Sequence, residues 1–114
     1  MPDTPTPVFD VEPATKRVLA DIAQERMDQD QLWGEQNHHN GTGGHRARQQ
    51  ADMTKATCQR HADHGALTWR DVLREEVREA FAESDPVALR AELVQVAAVA
   101  AAWIEAIDRN EATR

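Results

Sequence analysis

The chain has 114 residues, with 13 Lys and Arg against 20 Asp and Glu for a formal net charge of -7. That length suits one domain around a modest core, and the acidity excludes the basic footprint on which nonspecific binding to duplex nucleic acid depends. With few aromatics and no Tyr, the core falls to Ala, Val and Leu, a composition that favours closely approaching helices over a sheet.

A phosphate ligand remains compatible with this acidity when divalent cations stand between the two sets of negative charge. Cys58 is the single cysteine, so no intrachain disulfide forms, and a reducing compartment is implied. No apolar run reads as long enough to cross a bilayer, and the opening Pro, Asp and Thr residues lack the basic-then-apolar order of a signal sequence. A cytoplasmic location without membrane association is therefore expected.

Residues 1–13 carry four of the five prolines and read as a flexible arm; residues 14–114 read as one helical domain. A first helix is predicted from Ala14 to Trp33, where Val18, Leu19, Ile22, Leu32 and Trp33 recur near helical spacing. Gly34 ends it, and the Asn- and Gly-rich stretch to Gly44 is a loop. A second helix is predicted from about His45 to Asp63; its apolar points are only Ala47, Ala51, Met53, Ala56 and Cys58, so shallow packing or a partner is expected.

Gly65 stops the second helix. Thr68 to Asp71 then has the form of a capping box, opening a third helix to about Glu83. Asp85-Pro86 starts a fourth, to about Asp108, since Asp caps free amides and proline suits the first turn. The last two helices are expected to form an antiparallel hairpin, with Leu73, Val77, Ala80 and Phe81 on one apolar stripe. Leu89, Leu93, Val96, Ala97, Ala100, Trp103, Ile104 and Ile107 form the other.

Glu76 lies three residues after Leu73 and one before Val77, on the border of its stripe, with Glu79 one turn on. Glu92 holds the same place between Leu89 and Leu93, with Gln95 one turn beyond. If the stripes meet, Glu76, Glu79, Glu92 and Gln95 converge as oxygen ligands for Mg2+ or Mn2+. Like charges held together call for a cation, and a Mg2+ that keeps waters leaves room for a triphosphate and an attacking water. Glutamates flanking an apolar face are also commonly nothing more than a solvated border.

Glu75-Glu76-Val77-Arg78-Glu79, followed by Glu92, resembles the EExxE motif of the MazG-like, all-alpha nucleotide pyrophosphohydrolases, over roughly Trp69 to Asp108. The family's second motif is ExxD, where this chain reads Glu92-Leu93-Val94-Gln95. The Gln29 to Gln36 segment resembles the end of the first helix in phage and actinobacterial members, with Trp33 placed to stack on a base. The resemblance implies an all-α, four-helix pyrophosphohydrolase-like bundle completed by oligomerisation to a dimer or tetramer. It also implies Mg2+-dependent cleavage of a nucleoside triphosphate to monophosphate and pyrophosphate.

By that carry-over Glu76, Glu79 and Glu92 are metal ligands, Gln95 is the fourth position, and Glu75 is a ligand or the group that orients water. A glutamine carbonyl brings no charge, so weaker metal binding or fewer ions are expected.

Two further sets of residues compete for a role. Cys58, His61 and His64 fall at three-residue spacing and can offer soft ligands to zinc, although such steps drift around a helix. The glycines of the loop ending at Gly44, followed by Arg46 and Arg48, can meet phosphates at a helix N-terminus, although a mobile surface loop is the commoner use of such a segment. From another class, a catalytically weakened homologue would serve as a nucleotide-sensing or helical interaction protein.

Overall fold

The structure, a computed structural model, describes residues 10–112. The expected arm therefore lies mostly outside the described residues, and Pro13, its last residue, already opens the first helix. Among the described residues there are four helices and no strand: α1 (Pro13–Trp33), α2 (His45–Asp63), α3 (Trp69–Ala82) and α4 (Pro86–Ala112). The all-helical expectation is met.

The boundaries follow local chemistry. α1 begins on proline at its first position, where the missing amide costs nothing, and ends where the Gly34 amide donates to the Asp30 carbonyl at 2.8 Å. At α3 the Thr68 hydroxyl accepts from the Asp71 amide while the Asp71 carboxylate accepts from the Thr68 amide, both at 3.1 Å, completing the capping box. The Asp85 carboxylate accepts from the Ala88 amide at 3.0 Å, which starts α4. That helix runs four residues past the expected Asp108, because nothing in Arg109-Asn110-Glu111-Ala112 breaks it.

Two compact units divide the chain, one holding residues up to His38 together with those from Ala101 onward, the other holding His39–Ala100. α4 contributes to both. In the first unit Val18 is 1% exposed and the Thr15 hydroxyl donates to Glu105 Oε1 at 3.0 Å, so the first turns of α1 dock on α4 beside the buried Ala101 and Ala106. From Ala20 to Trp33 every α1 residue is exposed.

In the second unit the most extensive contact joins α2 to α3, not α3 to α4 as the hairpin expectation had it. α2 buries Ala51 and Cys58, and α3 buries Ala80. Small side chains let two helix backbones come close, so an α2 that looks polar by composition is the intimate partner of α3.

The predicted stripes are only partly covered. Ala80 and Leu89 are buried, whereas Phe81, Leu93, Ala97, Ile104 and Ile107 are exposed. Expecting both stripes to face the core is therefore corrected, since only part of each stripe is covered.

Pro86–Glu111 is, by length and composition, long and apolar enough to cross a membrane. This corrects the expectation that no such run exists. Its hydropathy comes from Ala and Val spread over many turns, which reads less conspicuously than a block of Leu and Ile.

Candidate functional site

α3 carries the acidic motif in the second unit, and its helical twist sends neighbouring glutamates different ways. Glu75 lies toward α2, where its carboxylate accepts a hydrogen bond from the Cys58 thiol. Desolvation first, then that bond and the charges of Glu75 and Asp71, push the thiol up to about 11. Cys58 is 8% exposed and is a packed structural group, not an activated nucleophile.

Glu79 also meets α2. Arg48 Nη1 donates to its Oε2 at 3.1 Å, Arg48 Nη2 stands 3.7 Å from Glu83 Oε1, and Asp52 lies 4.0 Å away. These acids raise the Arg48 pKa, the hydrogen bond that Arg48 donates to Glu79 most strongly, against a smaller opposing effect of desolvation. Arg78, between the motif's glutamates, instead donates to the neutral Gln50 amide at 3.0 Å.

Glu76 is different. It is half-buried, has no ion-pair partner among the described residues, and its carboxyl is raised above the usual range. Burial is the first cause, followed by the charges of Glu92, Glu75 and Glu79. Glu92, on α4, is thus the charge that most raises Glu76 after burial. Gln95 is exposed on α4.

Of the sequence-predicted residues, then, Glu76 is raised by the charge of Glu92, Glu75 and Glu79 are engaged by α2, and Gln95 faces solvent. Arg48 reaches the motif itself, while Arg46 is exposed. Trp33 belongs to the other unit and is 66% exposed, so it closes no core within the chain.

Among the described residues no three His, Cys, Asp or Glu side chains gather closely enough to hold a metal ion. Glu76 has no ion-pair partner among the described residues, and carboxylates are the donor type that hard cations take.

The competing residues also find places. His61 Nδ1 lies 2.9 Å from Asp71 Oδ2, and with Cys58 bonded to Glu75, two of the three members of the zinc candidate are turned to carboxylates on α3, while His64 is exposed. Arg70 and Arg74 line an open cavity of about 460 Å³ with His61, Ala66, Thr68 and Asp71.

The glycine loop is anchored: the Gly43 amide donates to the Phe81 carbonyl at 2.8 Å, and a Cβ on Gly43 would meet Ser84 Cβ at 2.8 Å. With φ at +92°, glycine is required there on two counts.

Sequence reasoning missed the Glu79–Arg48 pair, although Arg48 at one end of α2 and His61 at the other, spaced along the Ala51 and Cys58 face, outline the side that meets α3. Comparison with known protein families, with curated proteins and with solved structures finds no match to this chain.

Proposed function

We propose that this chain is a Mg2+-dependent nucleoside triphosphate pyrophosphohydrolase, converting an NTP or dNTP to its monophosphate and pyrophosphate in nucleotide-pool housekeeping. The observation that carries the reading is Glu76: a half-buried carboxylate raised by burial and by the charges of Glu92, Glu75 and Glu79, with no ion-pair partner among the described residues. A fold keeps such an unpaired carboxylate at a cost in stability, and functional sites are where that cost is commonly borne.

Glu76 and Glu92 would hold Mg2+, or Mn2+ in its place, with Glu79 joining when released from Arg48. Bound there, the ion would supply Lewis-acid stabilisation of charge on the phosphates. Glu75, one residue along α3, is the group to orient water, and Arg46 and Arg48 are cations available to phosphate oxygens. A cytoplasmic setting follows from the substrate.

The exposed apolar residues Phe81, Val87, Leu93 and Val94 support assembly into a dimer or tetramer, since isolated monomers rarely leave so much apolar helix surface uncovered. Light scattering that gives a monomer mass at micromolar concentration would remove this part.

The second reading is a weakened homologue that senses nucleotide or docks other helices without turnover. It is favoured by the engagement of Glu79 by Arg48 and by the uncharged, exposed Gln95. Pyrophosphate release over a panel of ribo- and deoxyribonucleotides, with Mg2+ or Mn2+, separates the two. Turnover that disappears in Glu76→Gln and Glu92→Gln supports the enzyme, whereas turnover at the parental rate in both removes its mechanism. Metal-dependent thermal stabilisation without turnover supports the sensor.

A further inference from the structure

We infer that Arg70 and Arg74 on α3, with His61 of α2 beside them, form a binding site for a phosphate monoester whose aromatic ring lies on Leu67, Trp69 and Val72. The site shares no residue with Glu76, Glu79 and Glu92, and it does not rest on the pyrophosphohydrolase reading.

Arg70 and Arg74 stand one turn apart on α3, where like charges repel, and Arg70 lies in the first turn, where a cation also opposes the helix dipole. Neither makes a hydrogen bond or ion pair among the described residues. Arg26 and Arg48, by contrast, both hold carboxylates. In a chain of net charge -7, two adjoining arginines without an acid are left to an anion from outside. Both line the open cavity of about 460 Å³, a size that small-ligand sites commonly have.

The one acid in that lining is already engaged. Asp71 Oδ2 accepts from the Thr68 amide at 3.1 Å, from the Thr68 hydroxyl at 2.9 Å and from His61 Nδ1 at 2.9 Å. The Asp71 amide in turn is capped by Thr68, so the ligand is held by side chains and not by the end of the helix. Phosphate suits two arginines better than carboxylate does: its three terminal oxygens can meet both guanidiniums, whereas a single planar fork satisfies a carboxylate. A second cavity, of about 490 Å³, is walled by Leu67, Trp69 and Val72 and shares Thr68 with the first. Leu67 and Trp69 are exposed there, and a ring attached to the phosphate would cover them.

The test is titration of the full chain, in EDTA at fixed ionic strength, with phenyl phosphate and separately with methyl phosphate, followed through amide chemical shifts. The shifts are expected to gather on His61 and residues 67–74, with phenyl phosphate bound about tenfold more tightly than methyl phosphate. Arg70→Gln and Arg74→Gln should each weaken both ligands about fivefold. Arg90→Gln, which removes the same charge from α4, should stay within about twofold of the parent. Leu67→Ala should weaken phenyl phosphate and leave methyl phosphate unchanged. Arg70, Arg74 and Leu67 are all exposed, so these variants are expected to fold.

Equal weakening in Arg90→Gln overturns the site in favour of unspecific charge attraction. Phenyl and methyl phosphate bound alike overturn the part given to Leu67, Trp69 and Val72, and with it the class of ligand. No saturable shift with either ligand overturns the proposal outright.

Discussion

Changing Glu76 to Gln and, separately, Glu79 to Gln removes the same charge from the same helix one turn apart, yet the two are expected to move metal-free stability in opposite directions. Glu76 is opposed by Glu92, Glu75 and Glu79. Glu79 stands at helical spacing from Glu76, where a like charge costs a few tenths of a kcal/mol, and with Glu92 on α4 adding a comparable repulsion the relief is worth about 0.5 kcal/mol. For a chain of this size that is a rise of about 2 °C in Tm. Glu79→Gln instead strips Arg48 of its shortest ion pair and lowers Tm.

The pH dependence of this difference has a fixed sign. Because the folded-state pKa of Glu76 is raised, the folded chain binds more protons than the unfolded one between the two values, and its stability falls as pH rises through that window. The advantage of Glu76→Gln over the parent is therefore full above the raised value and fades below the ordinary carboxylate range. Circular dichroism melts in EDTA, at neutral pH and again in acid, read both effects. A Glu76→Gln variant that melts below the parent by as much as Glu79→Gln does would refute the reasoning, since Glu76 would then be making a favourable contact.

Three other outcomes are expected. Gly43→Ala meets both the positive φ and the Ser84 contact, and should cost about 2 kcal/mol or more, read as a lower urea midpoint at unchanged m-value. Cys58, pushed up to about 11, is only about one part in a thousand thiolate at pH 8, so iodoacetamide should label the native chain far more slowly than the urea-unfolded one. Comparable labelling rates would place the thiol in solvent. Asp71 is held below the usual carboxylate range, first by His61 and then by Thr68; its contribution is present above the unfolded-state value and lost as pH falls through the lowered one. Asp71→Asn should flatten the acid limb of a stability-against-pH curve.

The parts of the fold that were legible in the sequence are those written in short-range chemistry. Thr68 with Asp71, Asp85 with Pro86, and Gly34 and Gly65 each act within a few residues, and they place the ends of the helices well. Partnership was harder to read. α2 looks too polar to pack because its contact face is Ala51 and Cys58, where closeness matters more than hydrophobic bulk, while α4 looks like a core helix because it is rich in Ala and Val. The site divides in the same way: the common offset of Glu76 and Glu92 from Leu73 and Leu89 follows from periodicity, but Arg48 reaches Glu79 across 31 residues, a separation that periodicity cannot see.

The division of the chain also fixes an order of assembly. His39–Ala100 is one continuous stretch, and its α2–α3 contact can close as soon as that stretch has been synthesised. The other unit joins the two ends of the described chain, with Thr15 waiting for Glu105 across 90 residues. Closing a loop of that length from an unstructured chain costs about 4 kcal/mol by the logarithmic rule, and less once the intervening segment is compact. α1 should therefore be the last helix to dock and the first to open, leaving Val18 and Leu19 as the apolar surface that waits longest for cover while the chain is being made.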